Sequence, residues 1–293
     1  MDNMKNAVKM GIGAVLLACL SVSSLPACAE PDDTTAPKRV VSMNLCTDQF
    51  AMLLAQEDQL LSVSKLASDP NLSVMSDKAS NFKVNYGRAE EIFLMKPDLV
   101  IAGTYTNQTT VQMLRRLGIK VVQVSPVRTL FGVASELRRL GKLLDREEKA
   151  EQIASQFETA IQHFVQGQPD EKLRAGVYYA NGYTAGDGSL VNELIETAGL
   201  QNIASNLGLK KTSKLPLEIL ILENPQLLVE GSQFSDKPAL AFELLAHPAL
   251  MRTLGNNGRV KVDDKFTICG LPFVTQAIEK LARESSRLGV QPK

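Results

Sequence analysis

One segment of this chain is written twice. Residues Glu90–Gly103 read EEIFLMKPDLVIAG and residues Glu218–Gly231 read EILILENPQLLVEG, 128 positions apart. Glu90 pairs with Glu218, Pro97 with Pro225 and Gly103 with Gly231. In each copy a short amphipathic run stops at a proline, which cannot continue a helix, and a mainly apolar tetrad of the kind a buried parallel strand carries comes next, LVIA in the first copy and LLVE in the second. Each copy therefore reads as helix, proline stop, buried strand and glycine turn. A shift this much longer than the roughly 20–50 residues of a solenoid repeat marks the duplication of a whole lobe. The fold class that follows is α/β, with two similar lobes and a ligand cleft between them.

The amino terminus bears on location. Lys5 and Lys9 precede an apolar stretch from Met10 to Leu20, and Ala27-Cys28-Ala29 supplies a small-x-small cleavage pattern, so residues 1–29 read as a signal peptide. Eleven apolar residues fall short of the roughly 20 that a spanning helix needs. A lipoprotein cut before Cys28 is the alternative, disfavoured by Pro26 in the lipobox. Cleavage after Ala29 leaves 30 basic and 31 acidic residues, a balance that gives no nucleic-acid surface. The expected product is a soluble periplasmic protein.

Residues 30–37 (EPDDTTAP) read as a disordered leader. Behind it, strands are expected from Arg39 and at Leu61–Ser64, Leu99–Ala102 and Lys120–Val124, with helices at Asp48–Ala55 and Thr109–Leu117. Such alternation predicts a parallel sheet covered by helices, here over residues 38–144. Asp145 with Glu148 reads as a capping box, and Ala150, Ile153, Phe157, Ile161 and Phe164 recur at helical spacing after it. This helix, residues 145–167, is about 30 Å long at 1.5 Å per residue and connects the lobes. Residues 168–293 repeat the alternation, with strands at Ala175–Ala180, Leu227–Glu230 and Arg259–Val262 and helices at Leu190–Ala198, Pro216–Glu223 and Pro272–Leu288.

The two glutamate–proline units, the single long connecting helix, RVVSMNLCTDQ after the leader and the late HPALMRTLGNNGRVKV together resemble the helical-backbone class of ABC-transporter substrate-binding proteins. That class contains the periplasmic vitamin B12-binding and ferric-siderophore-binding proteins. The resemblance covers Lys38 to Arg287. It implies two lobes on one rigid helix, a shallow cleft, small closure on binding, and a monomer that delivers a metal chelate to a permease and ATPase complex in the inner membrane. It also implies that a glutamate on each lobe docks into an arginine pocket on each of two membrane subunits. The duplicated register puts Glu90 and Glu218 in that role; the alternative is plain stabilisation of a helix N-terminus.

Ligands of open α/β sheets sit beyond the carboxyl ends of the strands. That selects the loops Asn44–Asp48, Lys65–Tyr86, Thr104–Gln108 and Ser125–Thr129 in the first lobe, and Asn181–Ser189, Ser232–Phe234 and Asp264–Leu271 in the second. Candidate ligand contacts on these loops are Tyr105, Tyr183, Arg128, Asn44, Tyr86 and Phe234. Tyr105 and Tyr183 offer an aromatic face with a polar tip. Arg128 offers a fork for the oxygens of a ferric chelate, as some members of the resembled class use; Arg88 is a second cation, at a helix start where a solvated charge is ordinary. The chain has no tryptophan, a departure from the B12-binding members.

Cys46 and Cys269 remain after cleavage, both on cleft loops. A bridge between them would restrain lobe opening, and two free thiols are the alternative. Only two histidines occur, His163 in the connecting helix and His247 before Pro248. Neither falls on a cleft loop, so histidine-based catalysis and a bare-metal site are disfavoured. The chain is expected to hold no cofactor of its own, the ligand bringing its iron or cobalt already wrapped. The competing reading is an enzyme or scaffold on the same bilobal fold.

Overall fold

A computed structural model describes residues 36–232, 243, 245–254 and 258–289. The expected signal peptide with Cys28, the leader up to residue 35, and Phe234 lie outside the described residues. The first lobe runs β1 (Val40–Ser42), α1 (Leu45–Leu54), β2 (Leu60–Ser64), α2 (Ser76–Ala79), β3 (Lys83–Asn85), α3 (Ala89–Leu94), β4 (Leu99–Gly103), α4 (Gln108–Arg116) and β5 (Lys120–Val124). Its strands pair in parallel in the order β3-β2-β1-β4-β5. The duplicated segment supplies α3, the Pro97 stop and the fully buried β4. Along β4, Leu99 and Ile101 enter one core while Val100 and Ala102 enter another. That period of two is what a strand packed on both faces requires.

Two helices follow, α5 (Leu130–Leu143) and α6 (Glu147–Gln166). The sequence expectation placed a capping box on Asp145 and Glu148, and the structure corrects it. Arg146 is the N-cap of α6 and makes no side-chain cap bond. Asp145 instead takes a left-handed φ of 58° and ends α5. Arg146 N donates to Gly141 O at 2.7 Å and Asp145 N to Lys142 O at 3.4 Å, the pair of bonds of a Schellman motif. Arg138 of α5 then grips Glu151 and Glu158 of α6 at 2.7 Å each. Helix α6 thus has α5 tied along its side.

The second lobe runs β6 (Leu173–Val177), β7 (Tyr183–Ala185), α7 (Leu190–Thr197), β8 (Leu200–Asn202), α8 (Ile203–Asn206), β9 (Thr212–Lys214), α9 (Leu217–Glu223), β10 (Leu227–Glu230), α10 (Pro248–Leu254), β11 (Arg259–Lys261) and α11 (Val274–Arg287). Its main sheet is parallel in the order β11-β10-β6-β8, and β7 pairs antiparallel with β9. The duplication extends to the neighbouring strands. Met43 N donates to Ile101 O and Tyr178 N to Val229 O, both at 2.9 Å, and the two acceptors stand 128 positions apart. Lys96 and Asn224, each just before the stop proline, both adopt positive φ, 48° and 44°. The first expected strand of this lobe, Ala175–Ala180, is shifted to Leu173–Val177 because Tyr178 and Tyr179 already belong to the turn toward β7.

Helices α3 and α4 cover the outer face of the first sheet, with Ile92, Val111 and Leu114 on Val41 and Val100. Leu217 and Leu220 of α9 cover the outer face of the second, against Tyr178 and Leu228. The inner faces are not separate. Val40, Leu99 and Ile101 of one lobe and Ala175, Leu227 and Val229 of the other belong to a single apolar cluster that takes in α5, α6, α7 and α11.

Candidate functional site

Parallel strands deliver all their following loops to one edge, and a cavity of about 210 Å³ opens there between the lobes. The first lobe lines it with Asn44 and Cys46 after β1, Gly103 at the end of β4 with Thr104 and Tyr105 after it, and Ser125 to Val127 after β5; the second contributes Ile268, Cys269 and Gly270. Asn44 is fixed by its own chemistry, because its Oδ1 accepts from Cys46 N at 3.0 Å as the N-cap of α1. This cap starts the helix at Leu45, ahead of the Asp48 expected from the sequence. The duplicated glycines make room for the residue after the strand beside them. A Cβ on Gly103 would stand 2.9 Å from Asn44 Cγ, and one on Gly231 would stand 3.1 Å from the Tyr179 ring and 2.6 Å from Asp264 Oδ1. Asp264 and Ser232 exchange two hydrogen bonds there, and burial raises the Asp264 carboxyl more than the Ser232 N–H lowers it.

Three ties cross between the lobes, two of them within this cavity's lining. Cys46 and Cys269 form a disulfide with Cα atoms 5.2 Å apart. Gly270 lies so close to Val127 that a Cβ on it would stand 2.4 Å away. At the start of α5, Leu130 N donates to Glu193 Oε2 of α7 at 2.5 Å. Burial pushes the Glu193 carboxyl above its ordinary range despite that donor.

Tyr105 and Asn44 both line the cavity, and Tyr105 is 79% exposed. Tyr86 shares an adjoining cavity of about 320 Å³ with Asn44, Ser64, Lys65 and Asn107. Arg128 is exposed on the residue after Val127 and Arg88 is exposed ahead of α3; neither lines these two cavities. Tyr183 stands on β7 of the second lobe, also outside both linings, with Lys214 Nζ 3.9 Å over one face of its ring. One aromatic face is therefore already occupied by a cation, and the ring has only its other face and edge to offer. Neither His163 nor His247 lines either cavity.

Sequence reasoning missed the layer beneath. Ser42, Ser64 and Asn85 end three adjacent strands, Ser62 stands inside β2, and Ser64 reaches Asp48 of α1. The Asn85 amide donates to Ser42 O at 2.8 Å and Ser62 Oγ at 2.9 Å, and Ser64 Oγ donates to Asp48 Oδ2 at 2.5 Å. Burial raises the Asp48 carboxyl to about 6 against the pull of its hydroxyl donors, and its Oδ1 has no hydrogen-bond partner among the described residues. The available signal was polar residues at strand ends in otherwise apolar runs. Ile268, half exposed in the cavity wall, was missed too, since a single apolar residue carries no mark in a sequence.

Glu90 and Glu218 hold the second position of α3 and α9, both exposed and without an ion pair or hydrogen bond to the described residues. Each helix runs antiparallel to the strand that follows it, so both carboxylates lie toward the cleft edge of their sheets. No helix among the described residues is long and apolar enough to cross a membrane.

Residues 40–265 match the family described as periplasmic binding protein. A cobalamin-binding protein of Halobacterium salinarum is 27% identical over 220 residues, covering 74% of this chain and 60% of the relative's own length. A vitamin B12-binding protein of Yersinia pseudotuberculosis is 26% identical over 244 residues, covering 79% of this chain and 80% of the relative. Among solved structures, a possible iron-binding, periplasmic solute-binding protein of Staphylococcus epidermidis is similar in fold, with a TM-score of 0.71 at 19% identity over 85% of this chain and 99% of its own.

Proposed function

The chain belongs to the periplasmic binding protein family, and on that premise we propose that it captures a metal chelate in the periplasm and delivers it to the permease and ATPase complex of an ABC importer. The observation that carries this reading is the cavity between the lobes, walled by loops from the strand ends and crossed by a disulfide at its floor. A cleft tied at three points suits a bulky, rigid ligand that needs little closure. The names of the sequence relatives favour a corrinoid such as cobalamin. A ferric siderophore is the second reading, favoured by Tyr105 and Arg128 on neighbouring loops at one rim.

In this reading Tyr105 lays its ring on the chelate, Asn44 and Tyr86 meet polar side groups, and Tyr183 and Arg128 close in from the rims. The metal arrives inside its organic ligand, and the protein touches the organic part. The signal peptide is removed and the mature protein works as a soluble monomer. Glu90 and Glu218 dock on two copies of one membrane subunit, which turns the cleft edge toward the permease.

Calorimetric titration of the mature protein with cyanocobalamin and with a ferric hydroxamate tests the reading. Saturable one-to-one binding of either chelate is expected, with a matching rise in melting temperature. No binding of either, together with turnover of some periplasmic metabolite, would support the enzyme alternative.

A further inference from the structure

The two copies of the duplicated helix agree in more than their glutamates. Ile92 and Leu220 hold the same register and are both fully buried on the inner face. On the outer face, Leu94 and Leu222, again 128 positions apart, are each 78% exposed. Each leucine stands four residues after its glutamate, which sets carboxylate and isobutyl group on one helix face a single turn apart. A lone exposed leucine is ordinary. The same residue type, left bare to the same extent in both copies, on faces where a polar side chain would fold as well, is a matched pair. Phe93 adds further apolar surface beside the first copy.

We propose that Leu94 with Glu90, and Leu222 with Glu218, form two equivalent docking patches, each half acidic and half apolar, for a twofold-symmetric membrane partner. The proposal rests on the importer reading above and adds the apolar half of the contact. Neither glutamate makes an ion pair or side-chain hydrogen bond among the described residues, so the complementary surface is a basic side chain beside an apolar hollow, presented once by each of two identical subunits. The carboxylate sets charge preference and orientation, and burial of the leucine supplies strength that salt does not screen.

The test uses the full mature protein loaded with cyanocobalamin and the cognate importer reconstituted in liposomes. Leu94→Ser and Leu222→Ser are expected to weaken importer binding about tenfold each, and about a hundredfold together, from the lost apolar burial. Melting temperature and cyanocobalamin affinity should stay as in the wild type, because both side chains are exposed and line neither cavity. Wild-type importer affinity in the double leucine variant overturns the proposal. The importer reading is judged separately by Glu90→Arg with Glu218→Arg: loss of binding there alone leaves docking standing with idle leucines, and wild-type binding in both double variants removes docking from these helices altogether.

Discussion

Cys46, in the first turn of α1, is covalently joined to Cys269, in the loop ahead of α11, so the only cysteines beyond residue 28 hold the two lobes together at the floor of the cleft. The bridge closes a chain separation of 223 residues. A loop of that size removes much of the freedom of the unfolded chain, and loss of a native disulfide costs about 2–4 kcal/mol. Cys46→Ser with Cys269→Ser should therefore melt about 5–10 °C lower. Intact mass of the wild type under denaturing, non-reducing conditions should be about two daltons below the reduced mass. Labelling of both thiols without a reductant would rule the bridge out.

Asp48 gives the fold a pH dependence. Its folded carboxyl titrates at about 6 against an ordinary value of 3.8, so the native state binds the proton more tightly than the unfolded chain. Stability is then highest below the ordinary value and falls as pH rises through the window from about 4 to 6, by about 3 kcal/mol at most. Asp48→Asn should flatten the denaturant midpoint across that window while other carboxylates titrate as before. An unchanged slope in the variant would show that Asp48 keeps its ordinary affinity for protons.

The ligand contacts are testable one at a time. Tyr105→Ala, Tyr183→Ala and Arg128→Ala should each weaken chelate binding by about 1–2 kcal/mol, the usual loss for a stacked ring or a charged hydrogen bond. Tyr105 should cost most, since it alone of the three lines the cavity. Isothermal calorimetry reads the difference, and equal affinity in all three variants would mean that the ligand sits elsewhere.

A methyl group at either duplicated glycine tests the cleft geometry. Gly103→Ala pushes on the Asn44 amide from 2.9 Å and disturbs both the α1 cap and the cavity wall, at about 1–3 kcal/mol in stability with weaker chelate binding. Gly231→Ala presses on Asp264 and the Tyr179 ring and should cost as much in stability, yet leave binding closer to wild type, as neither residue lines the cavity. Urea melts and calorimetry on the same samples separate the two effects.

What could be read in the sequence follows from how local each signal is. β4 and β10 were legible because a mainly apolar tetrad, LVIA in one and LLVE in the other, between a proline and a glycine leaves one structure open. β3 and β8 were not, since three half-polar residues become a strand only when a neighbouring strand supplies hydrogen bonds. α5 had its apolar spacing in view at Leu130, Val133, Leu137 and Leu140, but Gly132 and Gly141 lower its helical propensity. Asp145 and Glu148 had the right spacing for a cap, and the competing demand of ending α5 took Asp145 instead. In the site, the loops were legible from strand order. The covering of Tyr183 by Lys214 was not, because it depends on the β7–β9 pairing.

The single apolar cluster running from Val40 to Leu281 through both inner sheet faces has a consequence for how this molecule comes apart. Neither lobe keeps a separate inner core. Heat should melt the two halves together in one transition, and a chain severed near Asp145 should yield fragments that aggregate alone and recover only when mixed, each being the missing half of the other's core.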